Sequence, residues 1–128
     1  MTQKEAITSP RAPAAIGPYS QAIHSGNLVF MSGQIPLDPA TMEIIQGGVE
    51  AQAHQVLKNL SAVASEAGGS LDDCVKLTIY MIDLAEFGVV NATMEQYFQK
   101  PYPARATIQV SALPRGALVE IEAIMQVG

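Results

Sequence analysis

The chain has 128 residues, 48% hydrophobic and 15% charged, with a formal net charge of −5. That balance describes one globular domain, residues 1–128, able to bury a single core, and excludes a disordered chain. The acidic excess disfavours nucleic acid and anionic membranes as partners, and a lone cysteine excludes an internal disulfide and fits a reducing, cytoplasmic setting.

The opening MTQKEAITSPRAPAAIGP is polar and broken by prolines, without the apolar centre of a signal segment. No apolar run approaches the roughly 20 residues of a membrane helix. Two strand-like runs follow, Tyr19–His24 and Leu28–Ser32, joined by a hairpin turn at Ser25-Gly26-Asn27. A loop through Gly33, Pro36 and Pro39 leads to a short run at Glu43-Ile44-Ile45, which Gly47-Gly48 breaks.

From Val49 the period lengthens. Val49, Ala53, Val56, Leu57, Leu60, Val63, Ala64 and Ala67 recur at helical spacing, with Gln52, Gln55, Lys58, Asn59 and Glu66 on the other side. Gly68-Gly69 supplies the stop. VKLTIYMI at 75–82 reads as a buried strand. Asp83 is placed to cap a second helix with the stripe Leu84, Phe87, Val90, Met94, Tyr97 and Phe98, ended by Pro101 and Pro103. RATIQVSAL and ALVEIEAIMQV close the chain around a turn at Pro114-Arg115-Gly116.

The order ββαβαββ predicts an α+β sheet with two helices on one face. Strands separated by a helix should run parallel, and the flanking hairpins antiparallel. The uncovered face would expose Met31 and either Leu77 or Tyr80, which points to self-association.

Alternation in the last two strands sets Arg105, Thr107 and Gln109 on one face, and Glu120 and Glu122 opposite the apolar face of their strand. If the final turn closes a hairpin, Thr107 pairs with Glu122 and Gln109 with Glu120, and all five polar residues share a surface. An arginine there offers a fork suited to a carboxylate, and a nearby glutamate can orient a water. The same pattern also fits an ordinary Arg–Glu cross-strand pair on a solvated face.

Other chemistry-bearing residues have bland readings. Cys74 is a small apolar filler at a strand edge, and His24 and His54 lack a second ligand at metal spacing. Asp72-Asp73 form a solvated turn, and the glycine pairs lack the Lys-Ser/Thr of a phosphate loop. No metal site is expected.

APAAIGPYSQA at 12–22, GNLVFMSGQIPLDPAT at 26–41, VNATMEQYF at 90–98 and PARATIQVSALPRGALVEIEAI at 103–124 together resemble the RidA (YjgF-like) family of reactive-intermediate deaminases across essentially the whole chain. The resemblance implies a chorismate-mutase-like α+β domain forming homotrimers, with sites in clefts between subunits. It also implies hydrolysis of 2-imino and 2-enamino acids such as 2-aminoacrylate and 2-aminocrotonate to 2-keto acids and ammonia, without a cofactor. Under it Arg105 clamps the substrate carboxylate, Glu120 holds the attacking water, and the backbone of Thr107 meets the substrate nitrogen. Tyr19 lines the cleft, Ser32 and Gly33 form its wall, and Asn91 lies near it. Many members carry cysteine at the position of Thr107 and glycine at that of Met42, and the loop QKPYPAR is shorter than in some.

Alternatives remain open at this level. They are deamination of a larger unsaturated amino acid such as 2-aminomuconate, a ligand-binding or chaperone-like trimer, and a ribonuclease-type translation inhibitor. The last is disfavoured by the scarcity of basic residues.

Overall fold

The computed structural model describes residues 3–128. It contains six strands, β1 (Glu5–Ile7), β2 (Ala22–Ser25), β3 (Leu28–Gln34), β4 (Cys74–Met81), β5 (Ala104–Gln109) and β6 (Val119–Gln126), and two helices, α1 (Val49–Glu66) and α2 (Phe87–Met94). The strands form one sheet in the order β1-β2-β3-β6-β4-β5.

Helix α1 follows its apolar stripe. Ala53, Val56, Leu57, Leu60, Val63 and Ala64 are buried, and Gly68 turns the chain out at φ +92°. Gln52 and Asn59, expected on the polar side, are buried too. The Asn59 amide donates to the carbonyl of Leu37, and Gln52 accepts from the backbone N–H of Leu118. Each satisfies an otherwise unpaired loop group, which removes the cost of burying it. Asp83 accepts from Ala85 N–H and caps a short 3-10 turn, Leu84–Glu86, that leads into α2. Helix α2 is therefore shorter than its predicted stripe, and Leu84 lies exposed.

Strands β2 and β3 form the predicted antiparallel hairpin, and β4 and β5, joined through α2, run parallel. Both helices pack on one face, over Val29, Met31, Leu77, Ile79, Met81, Val119, Ile121 and Met125. Met31 and Leu77 are thus core, and Phe30, Tyr80 and Ile108 occupy the uncovered face in their place. Tyr19 precedes β2 instead of lying within it, and the run around Ile44 contributes one isolated bridge to Leu37. The short strand β1, in the polar, proline-broken opening segment and outside the expected ββαβαββ order, pairs antiparallel with β2.

The expected β5–β6 hairpin does not form. Strand β4 lies between them, so Glu122 faces Thr78, Glu120 faces Tyr80, and Thr107 faces Ile79. Burial explains the order. Val119, Ile121 and Met125 are fully buried, which suits β6 to the sheet centre, where it pairs with both β3 and β4. Strand β5, with exposed Arg105, Ile108 and Gln109, has the character of an edge.

Candidate active site

The parallel pairing fixes where Arg105 points. It aligns with Leu77, as Thr107 does with Ile79 and Gln109 with Met81, so all three side chains lie on the helix face. Glu120 and Glu122 lie on the uncovered face with Tyr80 and Thr78. The polar surface expected to unite these residues is therefore divided between the two sides of the sheet.

On the helix side, α2 holds the arginine. Arg105 Nη1 donates to Asn91 Oδ1 at 2.7 Å and lies 3.9 Å from Met94 Sδ, and its guanidinium carbon stands 5.0 Å from the centroid of the Phe87 ring. A charge-assisted bond and a cation–π contact together restrict a long, flexible side chain. Arg105, Asn91, Met94 and Phe98 line a pocket of about 360 Å³. Thr107, two residues further along the same face of β5, is not among the residues lining this pocket; it is partly buried, and its hydroxyl oxygen is fully buried without a hydrogen-bond partner among the described residues.

A separate pocket is built around Glu120. Tyr19, Gly33, Met42, Arg115 and Glu120 line a pocket of about 430 Å³. Strand β3 is irregular between Met31 and Gln34, and this brings Gly33 against the Glu120 carboxylate. Burial, and secondarily the charge of Glu122, push the Glu120 carboxyl above its usual range. Tyr80 donates a hydrogen bond to Glu122, which raises the phenol's pKa. Ser32, next to Gly33 in β3, is not among the residues lining this pocket; its hydroxyl donates to the carbonyl of Ser20 at 2.6 Å.

One chain thus brings Tyr19, Gly33 and Glu120 together, and Arg105 with Asn91, but not the two groups with each other. Glu120 and Arg105 are separated by two strand spacings, roughly 10 Å, and by three residues along the strand, roughly another 10 Å. They also face opposite sides of the sheet.

Sequence reasoning missed three contributors. The sequence shows Phe87 only as part of a helix stripe, and its signal is an aromatic one turn before Asn91 on the same helix. Gln21 is buried, and its amide donates to the carbonyls of Ser9 and Pro13, which ties down the loop that leads to Tyr19. Arg115, read as a turn residue, adopts φ +59° and joins the Glu120 pocket.

The residues set aside also have plain roles. His54 Nδ1 lies 3.0 Å from the Tyr97 hydroxyl, and burial pushes the Cys74 thiol up to about 12. Among the described residues no three His, Cys, Asp or Glu side chains converge as a metal-holding group.

The family model described as Endoribonuclease L-PSP matches residues 9–127. The chain is 54% identical over 123 residues to protein DfrA of Myxococcus xanthus, with 94% of each chain covered. It is 47% identical over 121 residues to the 2-iminobutanoate/2-iminopropanoate deaminase of Mus musculus, covering 94% of this chain and 90% of the mouse protein. The crystal structure of RidA from the Antarctic bacterium Psychrobacter sp. matches with a TM-score of 0.92 at 48% identity, over 96% of this chain and 99% of that one. The chain belongs to this family of RidA (YjgF-like) proteins, and its two helices on a six-stranded sheet are the family's chorismate-mutase-like α+β fold.

Proposed function

We propose that this chain is a hydrolytic deaminase of reactive 2-imino and 2-enamino acids, of the size of 2-iminobutanoate and 2-iminopropanoate, working in the cytoplasm. The observation that carries the reading is Arg105, held by Asn91 and Phe87 at the mouth of a pocket on a sheet edge. A purely structural arginine at that edge needs no such pocket. The mouse relative's name supplies the reaction class.

In this reading the guanidinium fork takes the substrate carboxylate and fixes the imine carbon. Glu120 accepts a hydrogen bond from a water and directs it at C2. The water oxygen bonds to C2, the C=N π pair goes to nitrogen, and nitrogen takes up a proton. Collapse of the resulting carbinolamine breaks the C–N bond and forms the C=O. The balance is imine plus water to 2-keto acid plus ammonia. The backbone of Thr107 meets the nitrogen side, and Tyr19, Ser32 and Gly33 form the facing wall. Because imines hydrolyse in water unaided, positioning suffices: each tenfold of rate needs only about 1.4 kcal/mol.

Because Arg105 and Glu120 face opposite ways in one chain, a complete site takes Arg105 from one copy and Glu120 from another. A homotrimer with sites between subunits satisfies this, and the exposed Phe30 and Ile108 on the uncovered face supply apolar surface for assembly. A ribonuclease reading has little support, since 7 Lys and Arg against 12 Asp and Glu leave no basic footprint for RNA. Among the described residues no helix is long and apolar enough to cross a membrane.

The test couples the protein to a dehydratase releasing 2-aminocrotonate and follows keto-acid formation while semicarbazide competes for the imine. Faster release with the wild type, lost in Arg105→Ala, is the expected result. Equal rates with and without wild-type protein would overturn the reading.

A further inference from the structure

We propose that the pocket beside Arg105 receives the substrate's side chain, admits apolar groups and rejects a second carboxylate, with Glu95 setting that charge rule. The inference rests on the imine-deaminase reading and narrows its substrate class.

The pocket's walls decide what it can hold. Met94, Phe98, Tyr102 and Pro103 present apolar surface, and Arg105 and Glu95 are the charged residues that line it. A substrate carboxylate on Arg105 neutralises the cation. What remains for the rest of the molecule on this chain's side of the cleft is an apolar wall and one negative charge. About 360 Å³ exceeds what the short chain of 2-iminobutanoate needs, so longer chains have room.

The position of Glu95 strengthens the argument. It lies one helical turn beyond Asn91, the residue that grips Arg105, and at the C-terminal end of α2. An anionic side chain reaching along α2 from Arg105 therefore meets the charge of Glu95, and on this chain's side of the cleft none of the pocket's lining residues is a second cation to offset it. Glu95 is exposed, so the repulsion is screened and must weaken with added salt.

The experiment generates imines in place with an L-amino-acid oxidase and catalase, adjusted to equal oxidation rates, from 2-aminobutyrate, norvaline, phenylalanine and glutamate. Semicarbazide competition reads the hydrolysis of each. Norvaline and glutamate have side chains of similar length and differ in the terminal carboxylate. For wild type at low salt the glutamate imine should be hydrolysed about tenfold more slowly than the norvaline imine, and the gap should shrink at high salt. The phenylalanine imine should be accepted. Glu95→Gln should raise the glutamate-to-norvaline ratio about threefold and Glu95→Lys about tenfold, each ratio being internal to one variant.

Equal handling of the norvaline and glutamate imines by wild type, or a ratio unmoved by Glu95→Lys, would overturn the charge rule while turnover of 2-iminobutanoate leaves the deaminase reading standing. Exclusion of the phenylalanine imine would overturn the apolar side-chain pocket. Failure to accelerate any of the four imines would remove both the deaminase reading and this one.

Discussion

Gly33 and Glu120 share one space: the Glu120 Oε2 atom occupies the volume where a Cβ on residue 33 would stand. The close approach is made by the far end of a flexible side chain, so Gly33→Ala would displace the carboxylate without breaking the sheet. Stability should change by less than about 1 kcal/mol. Under the proposed mechanism imine hydrolysis should fall at least about tenfold, chiefly in kcat, because the carboxylate proposed to orient the water is moved and Arg105 is not. Urea denaturation beside steady-state kinetics checks both halves.

The anchor on Arg105 predicts a different kinetic signature. Asn91→Ala removes the acceptor 2.7 Å from Nη1 and frees the guanidinium to sample other rotamers. KM should rise about five- to tenfold with a smaller change in kcat, in keeping with roughly 1 kcal/mol for an exposed charge-assisted contact. Arg105→Lys should do worse than Asn91→Ala, since an ammonium lacks the planar fork.

The raised Glu120 carboxyl fixes a direction of pH dependence. If Glu120 works ionised, activity is present above its pKa and lost as pH falls through it. Burial and the charge of Glu122 place that acid limb above the usual carboxylate range. Removing the charge with Glu122→Gln lowers the Glu120 pKa, so the limb should move to lower pH. The pH profile of kcat/KM for the two proteins shows the displacement, and an upward shift would contradict it.

Met42 adopts φ +61°, a left-handed conformation that L side chains rarely adopt. Met42→Gly relieves that strain at some cost in unfolded-chain entropy, for a net gain of about 0.5–1 kcal/mol by chemical denaturation. A loss of stability would show instead that the Met42 side chain contributes more than its backbone costs.

Cys74 is buried, and burial, then Asp73 and Asp72, hold its thiol at about 12. It should therefore resist a disulfide reagent at pH 8 in the folded protein and react at once in denaturant. Rapid reaction of the native protein would refute that placement.

Much of the fold was legible because side-chain period reports burial directly. The stripe from Val49 to Ala67 and the β-branched run through Ile79 each had one simple reading, and the structure has α1 and β4 there. Strand order was less accessible. Alternation tells which residues of one strand share a face, but not which strand lies beside it, and a turn at Pro114-Arg115-Gly116 made a hairpin the nearest solution. The composition of β5 held the corrective sign: Arg105, Thr107 and Gln109 suit an edge, whereas the fully buried Val119, Ile121 and Met125 ask for the centre. Arg105 and Glu120 could each be singled out in advance. Their placement on opposite faces followed only from the insertion of β4 between their strands.

That division has a consequence for inheritance. If each complete site draws Arg105 from one copy and Glu120 from its neighbour, two alleles that are dead alone, Arg105→Ala and Glu120→Gln, supply each other's missing half when their products assemble together. Random mixing in a ring leaves about a quarter of the sites with both intact groups. A cell carrying both defects on separate copies of the gene would recover function that neither copy encodes by itself.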